Sequence, residues 1–291
     1  MGSGVDTRLS ATPAGRRGRD GAILATVDRL RTVTPAEWTV LIVVGLTVVG
    51  FALRMFELQQ WMGLPVEPDA VEYKRLAVTM NNPLDTGARE PAWPVFLRVW
   101  MFVFGRADDQ MRIASVLLST ALIPLCYVFG RLVSNARRIG VVTCALVALH
   151  PGLIEASVRG LRGELQTIAL VGFAVGVLAA EMPARWRVAL LMGGGGLVLN
   201  TNLGSLFAVP VGLVLVAVLG RLTLRQTLIA AAGVLLLIAP HLTRNAVVHD
   251  DPMYASNIHA TWYRNSESCQ QAATAAPTPP PTRPTHTQVA A

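Results

Sequence analysis

PAWPVFLRVWMFVFG, residues 91–105, is the stretch whose reading decides how this chain threads through a membrane. It is apolar, yet short for a crossing, since a helix needs about 20 residues to cover about 30 Å of hydrocarbon. Arg98 stands near its middle, and Pro91, Trp93 and Trp100 suit a segment lying at headgroup depth. Read as an interfacial helix, residues 91–105 keep both flanks on one side. The loops holding Arg131, Arg137, Arg138, Arg185, Arg187, Arg221 and Arg225 then share a face, and the opposite loops hold Arg159 and Arg162. Seven arginines against two places the richer face in the cytoplasm. Read as a crossing, the same segment reverses everything downstream and the bias is lost.

Working outward, charge-free intervals run over residues 38–53, 113–130, 139–154, 165–180, 188–220 and 226–243. The 188–220 interval is too long for one crossing, and Asn200, Thr201 and Asn202 mark its polar midpoint. The expectation is an all-α polytopic membrane protein of about seven transmembrane helices, with an outer first loop containing the interfacial helix. Composition agrees: 52% of residues are hydrophobic and 15% charged, which excludes an ordinary soluble domain. Residues 1–37 form a basic cytoplasmic leader, and the first span lacks a small-residue cleavage site, so it is expected to remain as an anchor. Residues 38–243 form the seven-span module, with outer loop 1 at 57–111 and outer loop 2 at 155–164. Residues 244–269 follow on the outer face, and the Pro/Thr/Ala-rich tail 270–291 is too poor in core-forming residues to fold. The net charge of +7 lies largely in the leader and cytoplasmic loops, which suits topology and anionic lipid rather than nucleic acid. The expected location is the cytoplasmic (plasma) membrane.

Loop 1 opens with Glu67, Asp69 and Glu72 in a chain otherwise sparing with acids. A carboxylate at the water–lipid boundary can take a proton from an acceptor while the other substrate stays in the bilayer. The same outer face collects Tyr73, Asp85, Arg89, Glu90, Arg159, Arg162, Glu164 and Arg244. Arginines there can grip a phosphate bidentately and stabilise its charge as it departs. Direct displacement at an anomeric carbon would invert its configuration. The bland alternatives are a solvated acidic loop, arginines that only bind lipid headgroups, and Tyr73 as an interface anchor. His150, His241, His249 and His259 lack metal-ligand spacing, and Cys126, Cys144 and Cys269 form no ligand motif. The run Gly193–196 reads as close helix packing rather than a phosphate loop.

The ordered series D-x-x-E-Y at 69–73, R-E-P-x-x-P at 89–94, F-x-F-G at 102–105, R-I-A-S-x-L-L-S-T at 112–120, Y-V-F-G-R-L at 127–132, A-L-H-P-G-L-I at 148–154 and S-V-R-G-L-R-G-E-L at 157–165 resembles the GT-C-fold glycosyltransferases. The likeness is to those using polyprenyl-phosphate sugars, the protein O-mannosyltransferases and aminoarabinose–lipid A transferases. The resemblance implies Asp69 as catalytic base with Glu72 beside it, and Glu164 as a second acid. Arg89, Arg162 and Arg244 would meet the donor phosphate, and Tyr73, Asp85, Glu90 and Arg159 would line the substrate loop. It also implies a polyprenyl-phosphate sugar donor, an acceptor it does not name, and, as in some members, a divalent magnesium or manganese between Asp69 and Glu164. PHLTRN at 240–245 resembles the P-x-x-x-R-N that ends the seventh span there. The chain departs from the pattern where members carry an arginine after the fifth span and this chain has Asn200–Thr201–Asn202. Members also continue into further spans, so a truncated, inactive relative is an alternative, as is a transporter or lipid flippase.

Overall fold

The structure, a computed structural model, describes residues 34–87 and 89–256. The leader up to residue 33, His259, Cys269 and the tail 270–291 lie outside the described residues. Within them the chain is helical: α1 (Pro35–Trp61), α2 (Pro68–Thr79), α3 (Ala92–Phe104), α4 (Asp108–Ser134), α5 (Arg137–Leu149), α6 (Pro151–Ala156), α7 (Gly163–Leu178), α8 (Ala184–Thr201), α9 (Ala208–Val218) and α10 (Leu224–His249). A 3-10 turn at Leu203–Ser205 joins α8 to α9. Three helices, α1, α4 and α10, are long and apolar enough to cross a membrane, and α5 with α6 makes a fourth if that bent pair is one span. The helices α7 and α9 are apolar but shorter.

Local chemistry sets where these helices begin and stop. Thr34 and Glu37 form a capping box ahead of Pro35, and Thr223 and Gln226 form another ahead of α10. The interval 139–154, expected as one span, breaks at Pro151, and its two helices meet at 57°. His150 is extended there (ψ 117), as the residue before a proline prefers, and its ring accepts the Leu153 N–H to start α6. At the other extreme α10 runs on past residue 243, so Arg244 and Asn245 stand in its last turns rather than in a following loop. It stops where Asp250 turns left-handed (φ 56).

Three arginines finish helices from a distance, Arg54 and Arg187 from buried positions and Arg98 from an exposed one. Arg54, fully buried on α1, donates to Ser119 of α4 and to the carbonyls of Val147 and Ala148 at the end of α5. Arg187 on α8 donates to the carbonyls of Gly176, Val177 and Ala179 at the end of α7. Arg98 on α3 does the same to Met80 and Ala77 at the end of α2. A guanidinium is planar and rich in donors, and a helix end offers unpaired carbonyls with partial negative charge. The match offsets the cost of burying the charge.

The helices α7, α8 and α10 share the largest apolar core, including Phe173, Leu191, Val198, Val234 and Ile238. Glycines allow the approach: a Cβ on Gly194 would stand 2.8 Å from the Phe173 backbone, and one on Gly196 would stand 2.6 Å from Leu237. The run Gly193–196 therefore stays helical inside α8, and it is Asn202 that ends the helix. Contacts between loops define two ends. At one, Asn135 donates to Glu181 and Arg221 to the Ala180 carbonyl. At the other, Arg112 reaches the Pro65 carbonyl, Ser115 the Leu161 carbonyl, and Arg244 meets Asp85. The second end, with its long connections, carries the candidate site.

Candidate functional site

The helix α2 begins at Pro68, with Asp69 in its first turn, where a carboxylate opposes the positive end of the helix. Its buried side, Ala70, Tyr73 and Ala77, packs on Trp93, Leu97 and Met101 of α3. That packing brings Arg89, just ahead of α3, back to the first turn of α2. Arg89 then lands 2.6 Å from the Asp69 carboxylate, and its guanidinium lies 5.2 Å from the centre of the Tyr73 ring. The Asp69 side chain is 59% exposed and that of Arg89 15%, so the acid faces solvent while the cation is walled in. Burial pushes the Tyr73 hydroxyl above its usual pKa, against the pull of Arg162 and Arg89. Burial also opposes the charge on Arg89, yet Tyr73, Asp69 and Glu90 hold its pKa above the ordinary value.

Next in sequence, Glu90 is the keystone. It is 3% exposed; one oxygen pairs with Arg162 and the other accepts the Leu203 N–H at 2.8 Å. One carboxylate thus ties loop 1 to loop 2 and to the turn after α8. Breaking a buried pair of this kind costs about 3–5 kcal/mol because the surviving charge is stranded. Beyond it, Arg244 of α10 meets Asp85 at 2.5 Å. His241 lies about one turn earlier on α10. His241 and Asn245 are fully buried and pair at 3.2 Å, leaving His241 Nδ1 and Asn245 Oδ1 without partners among the described residues.

The structure therefore brings Asp69, Tyr73, Arg89, Glu90 and Arg162 into one linked group, with Asp85 and Arg244 as a flanking pair. The acids that look like a cluster in sequence are each matched to their own cation: Glu67 to Arg159 at 3.6 Å, Asp69 to Arg89, and Glu72 to Arg75 at 2.7 Å. Arg75 holds the Glu72 carboxyl below its usual range. Arg159 also pairs with Glu155 of its own loop at 2.5 Å. Glu164 does not join the group. It lies at the loop end of α7, 7% exposed, with Oε2 unpartnered, and the cation in its range is Arg54. Burial pushes its carboxyl up to about 7, against its own backbone hydrogen bond and the Arg54 charge.

These positions fit a divalent cation poorly. Asp69 already engages Arg89, Glu164 is buried beside an arginine, and no group of three His, Cys, Asp or Glu side chains converges among the described residues. No step is assigned to a metal.

An open apolar groove of about 510 Å³ adjoins the group, lined by Leu84, Pro91 and Val95 from loop 1 and α3, Gly196 and Asn200 from α8, and Leu237 from α10. A second, of about 490 Å³, runs along the far side of α10 past Pro240 to Arg244 and Val248. Asn200 ties α8 to α10 by donating to the carbonyls of Gly196 and Leu237. It has no charge to offer a phosphate.

Comparison with family models, curated proteins and solved structures finds no match. Sequence reading missed two anchors of the site. The Leu203 N–H is a backbone group and leaves no residue signature. The cap that Arg54 places on α5 depends on a helix end that begins 93 residues later in the chain.

Proposed function

We propose that this chain is a seven-span membrane glycosyltransferase that moves a sugar from a polyprenyl-phosphate donor to an acceptor on the outer face, with inversion. The observation that carries the reading is the contact of exposed Asp69 with walled-in Arg89, beside Glu90–Arg162 and next to an apolar groove opening along α3, α8 and α10. A water-side acid, shielded cations and an apolar groove for the lipid are the three parts such a transfer needs. In the step itself, the acceptor oxygen attacks the anomeric carbon as the bond from that carbon to the phosphate oxygen breaks. The acceptor proton passes to the Asp69 carboxylate, and the phosphate leaves with the electron pair, its charge met by Arg89 and Arg244. Arg89 turning from Asp69 to the phosphate frees the base as the donor settles. Glu90 binds nothing in this scheme; it holds Arg162 and the Leu203 turn in place.

The test is transfer of label from a radiolabelled polyprenyl-phosphate sugar in membranes containing the full chain. Asp69→Asn keeps shape and hydrogen bonding but removes the proton acceptor. The rate should fall by about 10²–10⁴-fold with donor binding little changed. Glu72→Gln, which loses only the surface pair with Arg75, should transfer at near the normal rate. Unaltered transfer in Asp69→Asn would overturn the base assignment, and absence of any transfer by the unsubstituted chain would sink the reading itself. A transporter reading has one observation in its favour, the buried charges Arg54 and Glu164 within the bundle. Arg54, however, is occupied in closing α5.

A further inference from the structure

Away from this group, at the far end of α3, the surface carries a feature that the transfer scheme leaves unused. The helix is only 13 residues long, about 20 Å, and Trp93, Leu97 and Met101 fill its buried face. Its other face is apolar as well: Val99, Phe102 and Val103 are 62%, 90% and 62% exposed. Between the two faces runs a row of aromatic rings, Trp93 stacked on Phe96, Phe96 on Trp100, and Trp100 tilted against Phe104. Gly105 then turns the chain with φ 99, a conformation open to glycine, and Arg106 comes back beside the helix. Between α2 and α3 this leaves an open groove of about 240 Å³, with Val78, Val99 and Phe102 as apolar walls and Arg98 and Arg106 as its charges.

Among the described residues no carboxylate lines the groove. Arg98 spends one terminal nitrogen on the Met80 and Ala77 carbonyls and keeps further donors. Arg106 has no ion-pair or hydrogen-bond partner among the described residues. Two cations at the mouth of an apolar slot, on a helix whose outer face is too greasy for water, call for a ligand with an anion joined to a hydrocarbon chain.

We propose that the groove between α2 and α3 binds the phosphate headgroup of an anionic phospholipid, with Arg98 and Arg106 on the phosphate and the acyl chain lying over Val99 and Phe102. The volume holds the headgroup and the top of a chain, and the rest stays in the bilayer. This site is separate from Asp69 and does not depend on the transfer reaction.

Native mass spectrometry of the full chain in detergent tests it, with phosphatidylglycerol and phosphatidylcholine added at equal concentration. The expected result is one phosphatidylglycerol held at least tenfold more tightly than phosphatidylcholine. Arg106→Glu should lower that retention by about tenfold or more, and Phe102→Ser should lower retention of both lipids. Arg225→Glu makes the same charge change at the opposite end of the bundle and should have no effect. Arg98 is left alone because it also closes α2. Equal retention of the two lipids would overturn the proposal. So would an Arg106→Glu protein that still elutes as a folded species and keeps its phosphatidylglycerol, or equal losses in Arg106→Glu and Arg225→Glu.

Discussion

At the scale of single residues, most acids around the candidate site are matched to a cation, whereas the buried Glu164 makes no ion pair among the described residues. A carboxyl raised to about 7 by burial binds its proton more tightly folded than unfolded. The sign follows: Glu164 contributes no penalty below about pH 4.5, where it is protonated in both states, and folded stability is lost as pH rises from there through about 7. The Tm of the purified protein should therefore fall by a few degrees between pH 5 and pH 8, and Glu164→Gln should flatten that part of the profile. A profile identical in the variant would mean that the carboxyl is hydrated in the folded state. Asp69 differs in kind. Its surface ion pair with Arg89 contributes about 0–1 kcal/mol, so Asp69→Asn should leave Tm within a degree or two while altering chemistry.

At the scale of helices, close approach depends on which glycines face a neighbour. Gly196→Ala sets a methyl against Leu237, whereas around Gly193 there is nothing within 4 Å. The first substitution should destabilise by about 1–3 kcal/mol through overpacking. The second should stabilise by about 0.5–1 kcal/mol, because alanine loses less entropy in a helix. Thermal denaturation of the two variants reads the opposite signs directly; equal effects would mean that α8 and α10 do not touch there. The helices themselves were legible in the sequence, because long runs without charge must bury or meet lipid. The bend at Pro151 was missed because an apolar count takes no notice of a missing N–H and a clashing ring. The extension of α10 to His249 was missed because an arginine ends an apolar run without ending a helix.

For the molecule as a whole, arginine asymmetry is the sequence signal for how the loops sort, and in the structure Asn135, Glu181 and Arg221 meet at one end while Asp85 and Arg244 meet at the other. Which residues would meet within an end was not legible. Asp85 and Arg244 are 159 positions apart, and nothing in either neighbourhood marks the other. Asp69 and Arg89 were both legible as candidates, yet their pairing needs α2 packed on α3. Glu164 falls outside the group, buried at the start of α7 with no ion pair among the described residues. Orientation has a direct test: in a chain with Cys269 replaced by serine, Gln59→Cys should react with an impermeant thiol reagent applied to intact cells, and Arg138→Cys should not. Cys126 and Cys144 are buried and should stay silent. Labelling at residue 138 alone would place the candidate site inside the cell.

The cap that Arg54 places on α5 also has a consequence for how the chain is made. Its acceptors at Val147 and Ala148 are synthesised 93 and 94 residues after it, which at about 5–20 residues per second is a wait of about 5–20 seconds. Through that interval the first helix must leave the ribosome and reach the lipid with a guanidinium that has no helix end to close. Its position two turns from the Trp61 end of α1 lets the head reach water in the meantime. The last event for this helix is then the exchange of solvent for two carbonyls. Assembly of the bundle is clocked by the arrival of α5, and a premature stop ahead of residue 147 would leave an anchor that inserts but never seats.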